Sequence, residues 1–288
     1  MESLLQDLRF GVRSLRKHLG LTVVAVASLG AGIGAVTTIF TWLNTFVLNP
    51  LPAVPAWNRL VVAHTRAPEG GTWTVSWPDF LDWRAGARTV DLAAWDMMQL
   101  GLRDGPAQAE RAWGMLVSGN YFDALGVGAS LGRVLRIEDE QRREAVVVLG
   151  HGYWQRRFAG DSGVIGRTIT LNGSAFTIVG VAAPRFGGTY IGLSLHLYVP
   201  MTAMPLLMPD GAQTLQDRLR RSFDVVGRLK SGATVAQAGG ELDPLARRAG
   251  EAGGLAQPLG AVVQPHSAVD APGAMRPLLG ALLALAGL

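Results

Sequence analysis

The chain has 288 residues, of which 49% are hydrophobic and 17% charged, with a formal net charge of +4 and no cysteine. The cysteine count excludes disulfides, thiolate metal sites and a thiol nucleophile. A small positive charge spread along the chain gives no basic patch for nucleic acid, so no nucleic-acid partner is expected.

Residues 1–18, MESLLQDLRFGVRSLRKH, form the first predicted element, an amphipathic helix. Leu4, Leu8, Val12 and Leu15 fall at helical spacing, with Arg9, Arg13 and Arg16 along a neighbouring stripe. A basic amphipathic helix beside a membrane span suits the headgroup layer of an anionic leaflet, so membrane lipid is an expected partner. Arg9, Arg13, Arg16 and Lys17 also set orientation, because the flank rich in Lys and Arg stays cytoplasmic. An ordinary solvated helix face is the alternative.

Residues 19–48 contain no charge. As a helix they would reach about 45 Å, against a hydrocarbon core of about 30 Å, so a transmembrane helix is predicted. A cleavable secretory signal would have an apolar core of only about 7–15 residues. Ala25, Ala27 and Ala31 offer a cleavage site, but the apolar run continues to Leu48 and favours a retained span. Gly30 and Gly34 form a G-x-x-x-G pair, a candidate surface for packing against a second helix. Pro50, Pro52 and Pro55 then end the helix, placing the rest of the chain outside the cell membrane.

From residue 59 the pattern is that of a mixed α/β domain. Strands are predicted at Leu60–His64, Met97–Arg103, Ala109–Val117, Ala145–Leu149, Leu195–Val199, Phe223–Leu229 and Ala261–Gln264. Ser76-Trp77-Pro78-Asp79 reads as a helix start, and further helices are expected at 120–125, 151–158, within 202–221 and over 234–249. Asn172-Gly173, between strands 167–171 and 175–181, is the strongest hairpin signal in the chain. The run 277–288 is apolar but too short to span a membrane. A docked tail and the opening of a second, truncated transmembrane helix are the two readings, of which the second is favoured.

No catalytic constellation is visible. There is no P-loop sequence, and His18, His64, His151, His196 and His266 are scattered without metal-ligand spacing. Glu138-Asp139-Glu140 reads as a solvated turn rather than a cation site. Gly192-Leu-Ser194-Leu-His196 lacks the second Gly of a nucleophile elbow. Asp79, Asp82 and Asp91 read as a helix cap and surface charges. No cofactor, no metal and no enzymatic activity are expected; a signal-anchored periplasmic hydrolase and a membrane-anchored scaffold are the alternatives.

Several of these segments resemble, in order, those of MacB/FtsX-type ABC-transporter permeases. The resemblance lies in residues 7–52, in Ser76-Trp77-Pro78-Asp79-Phe80-Leu81-Asp82-Trp83, in residues 117–127, in residues 146–180 and in Arg228-Leu229-Lys230 with Thr234-Val235-Ala236-Gln237-Ala238. Within that group the chain is most similar to duplicated orphan permeases of acidobacteria. The resemblance implies an α+β fold: a helix at 1–18, a transmembrane helix at 19–48, a periplasmic core domain at 49–273 and the start of a second transmembrane helix at 277–288. The core is expected to hold a porter-like subdomain and a smaller one. The implied partners are a cytoplasmic ABC ATPase subunit and a second permease half, as a homodimer or a fused duplicate. Three membrane helices of the family pattern are missing from the chain.

Overall fold

A computed structural model of the chain describes residues 16–43, 51, 53–105, 109–190, 193, 195–254 and 259–266. Arg9, Arg13 and the expected second span at 277–288 lie outside the described residues. The chain divides into two compact units, with residues 51–270 forming the second.

In the first unit, α1 (Leu19–Leu43) is a continuous helix of 25 residues. Among the described residues it is the one helix long and apolar enough to cross a membrane by length and composition. Leu21, Val26, Ile33 and Phe40 on it are exposed. Thr38 and Thr41 donate their hydroxyls to the carbonyls of Gly34 and Thr37, which satisfies two polar groups within the helix itself.

The second unit starts with β1 (Leu60–Arg66), β2 (Thr72–Trp73), α2 (Trp77–Gly86) and β3 (Val90–Arg103). Ser76 caps α2, its hydroxyl accepting from Asp79 N–H at 3.3 Å, and Pro78 occupies the first turn, where no N–H is needed. The unit ends with β10 (Asp224–Leu229), α8 (Val235–Ala252) and β11 (Ala261–Pro265). Thr234 and Gln237 close a capping box at the start of α8. The strands β11, β1, β10 and β3 lie side by side, all antiparallel. Numbered in chain order this is 4-1-3-2 with helices after the first and third strands, the ferredoxin-like arrangement.

Between β3 and β10 come β4 (Glu110–Val117), α3 (Tyr121–Leu125), β5 (Ala129–Gly132), α4 (Ile137–Gln141), β6 (Val146–Leu149) and α5 (His151–Phe158). There follow β7 (Thr168–Leu171), β8 (Ser174–Ala182), β9 (Leu197–Pro200), α6 (Met204–Leu207) and α7 (Gly211–Gln216). Strand β3 changes partners at Trp95: its first half pairs with β10 and its second half with β4. The pairings then run β4–β9, β9–β6, β6–β8, β8–β7 and back from β7 to β3. Six strands thus close on themselves as a barrel, inserted into the ferredoxin-like unit and sharing β3 with it. Closure leaves those strands few open edges.

The expected hairpin forms with Asn172 and Gly173 both at positive φ, which the primed two-residue turn demands. Gly180 on β8 lies where the carbonyl of Arg133 passes; a Cβ there would sit 1.9 Å from that oxygen. Gly180→Ala is therefore expected to cost about 2 kcal/mol, because backbone rather than a movable side chain must yield. Urea unfolding of wild type and variant checks this.

Candidate functional site

Chemistry needs convergent polar groups. Among the described residues, no group of three or more His, Asp or Glu is placed to hold a metal ion. His196 Nδ1 accepts from Trp113 N–H at 3.0 Å, and its ring stacks at 4.9 Å from that of Tyr153. Burial and the Arg156 charge push its pKa below the ordinary histidine value. Tyr153 hydrogen-bonds Glu110 at 2.5 Å, and Arg157 pairs with the same carboxylate at 3.6 Å. His151 stacks edge-on against Trp154, 5.5 Å away. Ser194 and Gly192 lie outside the described residues.

The polar groups converge instead at three joints. The first lies between α2 and the insertion. Arg84 on α2 reaches Glu140 on α4 with both nitrogens, at 2.6 and 3.2 Å, while Gly119 N–H donates to the same carboxylate at 2.7 Å. Nearby, Ser118 and Asn120 extend the sheet with side chains: Ala94 N–H donates to Ser118 Oγ and Asn120 Nδ2 donates to the Leu92 carbonyl. Glu138-Asp139-Glu140 is thus not a solvated turn but a short helix with two of its three carboxylates buried. Asp139 takes both nitrogens of Arg133 at 2.6 and 2.7 Å and accepts from Arg136 N–H at 2.9 Å. Burial pushes the Asp139 carboxyl up, yet these donors hold it below its ordinary value.

At the second joint, Asp79 is buried and paired with Arg218 at 2.5 Å and Arg221 at 2.8 Å; Arg218 also holds Asp82. The cap of α2 is Ser76, and Asp79 fixes the loop before β10 against the helix. The third joint is at Arg228 on β10. Its guanidinium donates to the carbonyls of Ala124 at 2.7 Å and Leu125 at 2.8 Å, and on its other side to Pro55 at 2.8 Å and Ala56 at 3.2 Å. Sequence reasoning missed this role, because carbonyl acceptors leave no residue-type signal.

Gly30 and Gly34 both lie on α1, with open space where a side chain would project. Arg16 and Lys17 are exposed just before it. Trp57 packs against the second core cluster rather than standing free.

Comparison with known proteins bears on the family and the fold. The chain is 30% identical over 105 residues to the macrolide export ATP-binding/permease protein MacB of Aggregatibacter actinomycetemcomitans; the match covers 36% of this chain and 16% of that protein. The chain therefore matches only a small part of that relative's length. The crystal structure of the periplasmic region of MacB from Actinobacillus actinomycetemcomitans superposes with a TM-score of 0.54 at 15% identity, covering 77% of this chain and 94% of that one. The extracellular domain of the noncanonic ABC-type transporter YknZ from Gram-positive bacteria gives 0.51 at 13% identity, covering 71% and 99%. At such identities the structures speak for the fold. The family model for the MacB-like periplasmic core domain matches residues 22–245, and to that family the chain belongs.

Proposed function

We propose that the chain is a non-catalytic permease component of an ABC-type transporter. In this reading α1 anchors it in the bacterial inner membrane with the amino terminus in the cytoplasm, and residues from 51 onward work in the periplasm. The domain passes on conformational change driven by ATP hydrolysis on a separate cytoplasmic ATPase subunit, for export or mechanotransmission. The ferredoxin-like unit would be the porter-like subdomain and the inserted barrel the smaller one. A second permease half, as a homodimer or fused duplicate, would pack through membrane helices, with Gly30 and Gly34 as the packing surface of α1.

One observation carries this reading. The first strand of the domain, β1, starts where its last, β11, ends. Val61 lies opposite Pro265, and His266 N–H donates to the Leu60 carbonyl at 2.9 Å. The start of the first strand and the end of the last thus lie together at one end of one sheet, which supports a domain strung between membrane-bound segments.

A topology reporter fused after Gly70 is expected to register outside the cytoplasm, and the chain to resist carbonate extraction. Cytoplasmic reporter activity, or release of a shortened soluble chain, would overturn the reading. Copurification with an ATP-binding subunit tests the partner; its absence from the intact operon product would favour a scaffold.

A further inference from the structure

Residues 51–59 carry the chain into β1 of the second unit. A proline-rich connection of this kind is often a loose leash, and a leash transmits no push. Here it is held. Leu51 and Val54 are 4% and 5% exposed and sit in the core cluster that contains Tyr121, Phe122 and Val226. Val54 N–H donates to the Leu51 carbonyl at 2.9 Å and Arg59 N–H to that of Ala56 at 3.0 Å, so the segment is folded back into two turns.

The Pro55 carbonyl lies on the Arg228 side of the segment, the Ala56 carbonyl accepts from Arg228 in addition to its turn bond from Arg59 N–H, and the end of α3 leaves the carbonyls of Ala124 and Leu125 without partners in the helix. Arg228 reaches all four. Its planar fork presents donors on both edges at fixed angles, which a lysine ammonium on one flexible stem does not match. Gly126 closes α3 at φ +65°, a left-handed conformation that favours glycine. Burial and the neighbouring Arg59 charge lower the Arg228 pKa from its usual value. Arg59 itself donates to the Leu229 carbonyl, a second tie from the segment to the same strand.

We infer that Arg228 is a positioning residue that clamps residues 51–59 to α3 and β10. Residues 53–59 are then a rigid strap, and a displacement of that strap is delivered to the sheet as a whole. Apolar burial of Leu51 and Val54 resists lifting of the strap, while the guanidinium fork resists sliding along the sheet, since hydrogen bonds are directional and apolar contacts are not. The inference deepens the proposed permease role and rests on it for its purpose, but its geometry can be tested without transport.

The test is hydrogen exchange on the full chain in detergent micelles, comparing wild type, Arg228→Ala and Arg228→Lys. In wild type, the Val54 and Arg59 amides should exchange as slowly as those of β10. In Arg228→Ala they should exchange at least about tenfold faster, from local opening, with the β3–β4 amides unchanged. Arg228→Lys should lie nearer to Ala than to wild type. Should Arg228→Ala fail to fold, the wild-type measurement decides alone. Strap amides that exchange like open chain in wild type, or variants whose strap and β3–β4 amides loosen equally, would overturn the clamp. A protected strap in a chain that copurifies with no ATPase would instead sink the permease role and leave the clamp standing.

Discussion

Replacing Glu140 by alanine is expected to lower the stability of the domain by about 3 kcal/mol, while the same change at Glu138, two residues away, should stay within about 0.5 kcal/mol. Glu140 is 6% exposed and satisfies three donors: two guanidinium nitrogens of Arg84 and the buried N–H of Gly119. Its removal leaves the half-buried cation and that N–H without their acceptor, and an uncompensated buried group costs more than the pair had contributed. Arg84 keeps its contact with Asn120 and its place over the Phe80 ring at 5.0 Å, which limits the loss. Glu140→Gln keeps one carbonyl oxygen for Gly119 and should lose about half as much. Urea unfolding of the whole chain in mild detergent, followed by tryptophan fluorescence, checks all three variants. Equal effects at positions 138 and 140 would mean that the joint between α2 and the insertion does not form as described.

The contrast between two neighbouring glutamates also marks the limit of what the sequence discloses. Local signals were legible. The Asn172-Gly173 turn, the Ser76 and Thr234 caps and the compact apolar run of β6 each follow from rules that act within a few residues. Three acidic residues in a row, by contrast, look solvated until their partners are known, and those partners are Arg84, on α2, and Arg133, in the loop before α4. Strand β3 starts at Val90 rather than near Met97, because its first half is covered by β10 and carries Asp91 and Asp96 within an otherwise apolar run. The closed circuit of the barrel depends on β7 pairing with β3 through only Leu102 and Arg103, a contact that no periodicity encodes. The place of the inserted barrel, and of Arg228, rests on contacts between residues far apart in the chain, which no local pattern encodes.

Asp96→Asn and Asp224→Asn are expected to stabilise the domain at pH 7.5 and to leave it unchanged near pH 4. Both carboxyls sit at the fork where β3 passes from β10 to β4. Burial raises the Asp96 pKa from 3.8 to about 6, against the opposing hydrogen bond from Met97 N–H. Burial, and then the charge of Asp96, raises that of Asp224 from 3.8 to about 6. In each case the folded state holds its proton more tightly than the unfolded chain does. The stabilisation from that proton is complete below about pH 4 and is lost as pH rises through about 6, since stability falls with pH wherever the folded state binds more protons. A rise of this size corresponds to about 3 kcal/mol per group, and discounting for the solvent that half-buried side chains retain leaves about 1–2 kcal/mol each. Asp139, Glu241 and Asp243 act in the opposite sense. For all three, burial is outweighed by hydrogen bonds and positive neighbours, and their lowered pKa values make stability fall as the pH drops below about 4. Wild type should therefore be most stable between about pH 4 and 5.5, and the double Asn variant should hold that stability to pH 8. Thermal midpoints across pH 4 to 8 read this out. A wild-type profile that rises from pH 5 to 7.5, or Asn variants less stable than wild type at pH 7.5, would show that the two carboxylates are ionised and held by partners at this fork.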